Sequence, residues 1–111
     1  MYYFKILDCF QKQLKPYTKK IPNFTKDLIN CLNDFSTDNS ISLGSNNYKI
    51  RLKVSGLNKG KSKSFRLIIH LLFHKNLIIP IALYLKNEKE NISKKEINYY
   101  LQQATNELDG L

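Results

Sequence analysis

The sequence predicts an α+β fold ordered β-α-α-β-β-β-α, with a mostly antiparallel sheet packed on helices. Three observations predict it. Between Tyr48 and Lys86, three strand-like runs follow one another with short joins, the pattern of an antiparallel meander. Apolar stripes at helical spacing flank that block, one ending at Phe35 and one beginning after Ser93. The length, 111 residues, suits a single domain with one core, residues 1–111. Sheets and helices bury their apolar sides by stacking in layers. One sheet face is therefore expected against helices and the other open.

The elements follow in order. Residues 2–7, YYFKIL, suit a short first strand. Phe10 and Leu14 lie at helical spacing in residues 9–15, and Pro16, which lacks an N–H, limits that helix. KPYTKKIPN reads as a joint. Asn23 is a candidate cap for a second helix, whose stripe is Phe24, Leu28, Cys31, Leu32 and Phe35. Residues 36–47, STDNSISLGSNN, read as an exposed connection rich in turn formers. From Tyr48 to Val54 the residues alternate strictly. Tyr48, Ile50, Leu52 and Val54 face a core, and Lys49, Arg51 and Lys53 face the open side. The loop SGLNKGKSKS leads to a second run from Arg66 to Phe73. His74, Lys75 and Asn76 turn the chain into a third run, Leu77 to Leu85. Pro80 cannot donate to a ladder and predicts an edge position or a bulge. NEKEN makes a turn. Ser93 and Glu96 form an S-x-x-E capping box that opens a last helix with the stripe Ile97, Tyr100, Leu101, Ala104 and Leu108.

The net charge of +9 resides in the middle of the chain. Residues 48–86 hold nine Lys or Arg and no acid, while the segments before and after carry net +2 and −2. A merely solvated face usually mixes signs; here the mixing stops at Tyr48 and resumes at Glu88. Strand patterning fixes these cations in space and implies an anionic partner: nucleic acid first, then an acidic protein, then an anionic membrane surface. No membrane span is expected, because the longest apolar candidate, Leu67 to Leu85, is broken by His70, His74, Lys75, Asn76 and Pro80. No signal peptide is expected, because MYYFKILD lacks a basic lead and a small-residue cleavage site. Cys9 and Cys31 sit among apolar residues on predicted helices and read as buried, reduced thiols of a cytoplasmic protein. Two histidines and two cysteines in no ligand spacing give no metal expectation, and nothing in the sequence asks for a cofactor.

The cations suggest a site. Alternation places Lys49, Arg51 and Lys53 on one face. Arg66 joins their row if its strand pairs back, and Tyr84 and Lys86 share parity at the end of the last run. Lys59, Lys61 and Lys63 lie in the glycine-bearing loop. Arginines can hold two phosphate oxygens at once and lysines add attraction, so this surface suits a phosphodiester backbone. RNA supplies its own nucleophile, the 2′-OH. Cleavage then needs that hydroxyl oriented and deprotonated, the added negative charge stabilised and the leaving oxygen protonated. Preorganised cations do the stabilising. A lysine with a lowered pKa, or Tyr84, is a candidate for proton transfer. His70 shares the parity of Arg66, but a lone His on an apolar strand is more often a packing residue; His74 reads as a turn residue. With no His pair and no carboxylate in the segment, a nuclease here is expected to be metal-independent. From the residues alone, RNA binding with cleavage and without it both stay open.

The fragments YKIRLKVSG, GKSKSFRLI and IALYLKNEKENISKKEI, in this order and spacing, resemble the RelE/HigB superfamily of bacterial type II toxins, in particular its HigB-like branch. The resemblance runs from residue 22 to residue 97. It implies a RelE-like domain that cuts mRNA on the ribosome, an mRNA interferase, and a cognate antitoxin, expected to be a helix-turn-helix protein, that neutralises it. It also implies roles. Arg66 and Lys86 would carry phosphate and transition-state charge, and Lys49 or Arg51 would orient or activate the 2′-OH, with Lys49 the only one of the two able to act as a base. Lys53, Lys59, Lys61 and Lys63 would engage messenger or ribosomal phosphates. Two departures stand out. Some relatives carry a catalytic tyrosine where this chain reads NEKENIS, so Tyr84 is the expected substitute. The loop reads GKSKS where relatives often have a second glycine before the aromatic. Rival readings are a ParE-like gyrase inhibitor, which shares the fold without the catalytic cations, a non-catalytic RNA-binding module, and an interaction protein for an acidic partner.

Overall fold

Five strands form one sheet in the order β1-β5-β4-β3-β2. They come from a computed structural model that describes residues 2–55 and 63–110. Along the chain the elements are β1 (Tyr3–Phe4), α1 (Asp8–Thr18), α2 (Phe24–Asn33), β2 (Ile41–Gly44), β3 (Asn47–Val54), β4 (Lys63–Leu72), β5 (Leu77–Leu85) and α3 (Lys94–Asp109). The class is α+β, as the sequence predicts. The sheet is antiparallel except where β1 pairs in parallel with the start of β5, Tyr3 opposite Leu77 and Phe4 opposite Ile78. Among the described residues no helix is long and apolar enough to cross a membrane.

Several local expectations change. The connection 36–47 contains a strand: β2 pairs with the start of β3, Ile41 opposite Lys49. The turn formers that suggested a loop make the hairpin between them. Ser45 and Asn46 have φ of 53° and 64°, the two left-handed positions of a type I′ turn, whose twist matches that of the strands it joins. β1 covers only two of the six residues expected to be extended. α1 continues through Pro16 to Thr18. A proline in the last turn forfeits only the bond to the carbonyl one turn back, and Tyr17 anchors the end by packing on Phe24 and Phe65, with ring centroids 5.7 and 4.9 Å away. Asn23 stands before α2 but makes no side-chain cap; its φ of −97° and ψ of 12° are not the extended geometry that aims a side chain at the free N–H groups. β4 starts at Lys63 and ends at Leu72, leaving Phe73 in a short 3-10 turn with His74 and Lys75. The capping box of Ser93 and Glu96 is present as predicted.

Two apolar clusters hold the layers. On one face α1 and α2 set Phe10, Leu14, Phe24, Leu28 and Leu32 against Ile50, Leu52, Val54, Phe65, Leu67 and Ile69. On the other, Ile97 and Ala104 of α3 pack on Ile68, Ile79, Ile81, Ala82 and Tyr84. The second face is therefore not open throughout. α3 covers it along β5, because there the residues that face outward are apolar.

A bulge in β5 decides which those residues are. Ile68 of β4 lies opposite Ala82, but its neighbour Ile69 lies opposite Pro80, so Ile81 is an extra residue. Before it the odd-numbered Ile79 faces α3; after it the even-numbered Ala82 and Tyr84 do. A one-residue slip exchanges the faces of a strand, and this bulge aims Tyr84 at the α3 side. Pro80, which predicts a bulge, sits beside it. The outer side of β5 beyond β1 is closed by a side chain. The Gln13 amide donates to the Ile81 carbonyl at 2.9 Å and accepts from the Leu83 N–H at 3.0 Å.

α3 is clamped at both ends. Glu96 completes its own capping box and pairs with Lys89. At the far end the Glu107 carboxylate accepts from the backbone N–H groups of Asp8 and Cys9 at 2.7 and 2.8 Å. It thus caps α1, whose own cap residue, Leu7, has no side chain able to do so. These bonds, the one from Cys9 foremost, hold the Glu107 pKa below the usual carboxylate value.

Candidate functional site

Pairing across the sheet turns the predicted parity into rows. Arg51 of β3 lies directly opposite Arg66 of β4, and Arg66 lies opposite Tyr84 of β5. The next row toward the strand ends joins Lys53, Ser64 and Lys86, the last through its N–H to the Ser64 carbonyl at 3.1 Å. The row on the other side begins with Lys49 and continues into apolar Ile68 and Ala82. All three rows share the α3 face. On its β3 side Arg51 and Lys53 are exposed and Lys49 half-buried. A hollow of about 190 Å³ gathers Lys49, Arg51 and Arg66 with Asn39 and Ile41. Lys86 is exposed at the start of the turn after β5. Lys59 and Lys61 lie outside the described residues, as does the side chain of Lys63.

Like charges directly opposite one another on paired strands destabilise a sheet, and Arg51 with Arg66 is such a pair. No carboxylate relieves it: among the described residues the one ion pair is Lys89 with Glu96. Two further polar groups stand without partners. Arg66 Nη1 and the Tyr84 hydroxyl are both buried with no hydrogen bond among the described residues, and Tyr84 as a whole is only 9% exposed. A buried donor left unpaired costs about 1–3 kcal/mol. The row thus holds a facing arginine pair together with two buried donors that have no partner among the described residues.

The ionisation of Tyr84 follows from the same surroundings. Burial raises its pKa, while the nearby Arg66 and Lys89 charges lower it and Glu96 raises it again. The net direction is upward, so the phenol is neutral near pH 7 and can give a proton but not take one. Sequence reading placed Glu96 in a capping box but missed its pairing with Lys89 and the nearness of both to Tyr84. Their signal was available in the charge alternation of NEKENISKKE, but their proximity to Tyr84 depends on how α3 returns over β5. His70, by contrast, is four residues from Arg66 at the other end of β4. Its Nδ1 lies 2.8 Å from the Oδ1 of buried Asn47, and burial lowers its pKa. It is a packing residue in this fold, and His74 is a turn residue.

Other hollows lie away from the row. One of about 500 Å³ runs under the C-terminal half of α3, where Ile79, Ile81, Leu101 and Leu108 line it with His70 and Lys75. Its walls are mostly apolar, with Lys5 and Asp109 also among them. A second, of about 360 Å³, lies between α2 and the edge of β3 and mixes Asp27 and Asp34 with Arg51 and Lys53. Cys31 faces it with its thiol 3.7 Å from the Arg51 carbonyl; burial, then Asp34, push its pKa up to about 11. Both cysteines are free and half-buried. Among the described residues no three His, Cys, Asp or Glu side chains gather as a metal site.

Comparison with known proteins agrees with this architecture. A sequence model of the RelE toxin of RelE/RelB toxin–antitoxin systems matches residues 9–110. The solved structure of the E. coli toxin RelE in the free state, in a form with two arginines replaced by alanine, is similar with a TM-score of 0.51. The likeness covers 80% of this chain and 87% of that chain at 16% identity, and at that identity it speaks to the fold. No curated protein matches the chain.

Proposed function

The chain belongs to the RelE toxin family, and we propose that it is a cytoplasmic, ribosome-dependent endoribonuclease that cuts mRNA, inhibits translation and is neutralised by a cognate antitoxin. The row Arg51–Arg66–Tyr84 is the single observation that carries this reading. It offers fixed positive charge and a protonated phenol in one line, running from the open half of the sheet face to the seam with α3.

The roles follow from chemistry and position. Arg66 and Lys86 hold the scissile phosphate and stabilise the charge that builds on it as the 2′-oxygen attacks. Such preorganised charge is the largest contribution available to a site of this composition. Lys49 and Arg51 border the same hollow and orient the 2′-OH; of the two only Lys49, as its neutral amine, could take up the hydroxyl proton. Tyr84, a neutral phenol at pH 7, protonates the departing 5′-oxygen. Lys53, with Lys59, Lys61 and Lys63 of the adjoining loop, engages phosphates of the messenger or ribosome. No metal enters this scheme, because the nucleophile is the substrate's own hydroxyl. The YKIR strand and the segment after Tyr84 support the HigB-like branch, whose antitoxins are expected to be helix-turn-helix proteins.

The test is induced expression in a bacterial host, with primer-extension mapping of a translated and an untranslatable copy of one transcript. Cuts confined to the translated copy are expected. Arg66→Ala is expected to lower cleavage by ~10²-fold or more while RNA binding falls far less, since the arginine acts mainly in the transition state. Cuts in both copies would make it a free ribonuclease. Growth arrest with intact mRNA and broken DNA would replace this reading with ParE-like gyrase inhibition. Equal losses of binding and of cleavage in Arg66→Ala would leave a binding module.

A further inference from the structure

Ile41 of β2 is 58% exposed and stands inside the cationic site. It lies directly opposite Lys49, so the two side chains share one face of the sheet. Leu43, two residues on and thus on that face too, packs against the apolar cluster under α3. With Lys49, Arg51 and Arg66, Ile41 lines the hollow of about 190 Å³. A single exposed isoleucine is ordinary on a protein surface. This one sits on an edge strand, where native sheets favour charge, lysine above all, and it interrupts a wall of three cations.

The turn before β2 fixes its position. The Asn39 side chain accepts from the Ser36 N–H and donates to the Asp34 carbonyl, both at 3.1 Å. The Ser40 hydroxyl donates to the Ser36 carbonyl at 3.0 Å. A β-branched side chain on a pinned strand has little freedom left to lose when something packs on it. The hollow is therefore divided, with fixed positive charge on one side and a stiff apolar ledge on the other. A nucleotide is divided in the same way, into a phosphate and a flat base. A protein segment seated on the ledge would have to bring carboxylates for the cations beside it or leave them buried and unpaired at high cost. A nucleotide brings its own anion.

We propose that this hollow is a nucleobase subsite, in which Ile41 packs on the face of the base next to the phosphate held by Arg51 and Arg66. The proposal rests on the reading of that row as an RNA site. At about 190 Å³ the hollow is smaller than the ~300–1,000 Å³ of sites for drug-sized ligands, so it takes one base rather than a run of them. An aliphatic contact is non-directional and makes no hydrogen bond to a base edge. It contributes grip and register rather than sequence preference. Ile41 is in this view a substrate-binding residue: it fixes the nucleoside while the cations hold its phosphate.

The experiment measures fluorescence anisotropy of the full chain with a labelled, single-stranded 2′-O-methyl RNA octamer, which has no free 2′-OH to react. A second octamer has the same phosphates but no bases. Ile41→Ala is expected to weaken binding of the first octamer about fivefold, on the scale of one partial apolar contact. Its salt slope is expected to stay the same, since no phosphate contact is lost. Ile41→Val, which keeps a branched apolar side chain, is expected to bind within about twofold of the unaltered chain. All three proteins are expected to bind the base-free octamer equally. Equal binding of the base-bearing octamer by Ile41→Ala and the unaltered chain would overturn the proposal and leave the ledge to a protein partner. So would an equal loss on both octamers or a lower salt slope, either of which would mean that the substitution disturbs the cations instead. If the unaltered chain bound neither octamer at low salt, the RNA reading and this proposal would fall together. If it bound both and cut RNA while Ile41→Ala changed nothing, only this proposal would fall.

Discussion

The β3 half and the β5 half of one sheet face are built from the same alternation and meet opposite fates. On β3 the outward residues are Lys49, Arg51 and Lys53, and none of the described α-helices packs over them. On β5 they are Ile79, Ile81, Ala82 and Tyr84, and α3 lies over them. Arg66 and Tyr84 fall on the seam, which explains why a guanidinium nitrogen and a phenol are buried, without partners among the described residues, beside exposed cations. The difference teaches that a strand's outward row is not a surface by default. Whether it becomes one depends on whether another element has apolar residues to match it.

Three experiments break or sharpen this contrast. The largest effect is expected on the covered half. Ile97→Ala removes a side chain that is 6% exposed and should cost about 2–4 kcal/mol, as buried Ile→Ala changes do, read by urea denaturation. A loss below about 1 kcal/mol would mean that α3 is not seated on β5 as described. RNA affinity on the open half should not change while the protein stays folded.

On the open half, stability and function should move in opposite directions. Arg51→Thr removes one of two facing arginines and supplies a good strand former, so it should raise stability by about 0.5 kcal/mol. The same change should reduce the salt slope of RNA binding by about one unit, for one lost phosphate contact. A variant that is both less stable and unchanged in its salt slope would show that Arg51 is a structural residue.

The smallest effect concerns the clamp of α3 on α1. The folded pKa of Glu107 is lowered, so its contribution is full above the unfolded carboxylate value and is lost as pH falls through the folded one. Thermal melts between about pH 6 and pH 3 should show the unaltered chain losing more stability on acidification than Glu107→Gln. Parallel profiles would show that the bonds to Asp8 and Cys9 do not anchor the helix.

Much of this was legible in the residues. The strict alternation from Tyr48 to Val54 gave β3 and its cations, Ser93 with Glu96 marked the start of α3, and Pro80 marked the bulge. The helix α1 ran past its proline because Tyr17 found aromatic partners far away in sequence, and β2 was hidden because four residues of weak pattern preceded a run of turn formers. The burial of Tyr84 had no local signature at all. It depends on the bulge at Ile81 and on the return path of α3, and neither the final parity nor that path is written in any window of the sequence. The family resemblance pointed to the positions of Lys49, Arg51, Arg66 and Lys86, and the register shows how near they stand.

Gln13 has a consequence beyond its own two bonds. A sheet that ends in bare N–H and C=O groups invites another strand, from a second copy or from a misfolded one, and growth of that kind has no natural stop. At the β5 side of this sheet the amide of Gln13 occupies the place where such a strand would bond, and Pro80 has no N–H to offer it. Closing this margin removes one of the routes by which copies of the chain could join edge to edge.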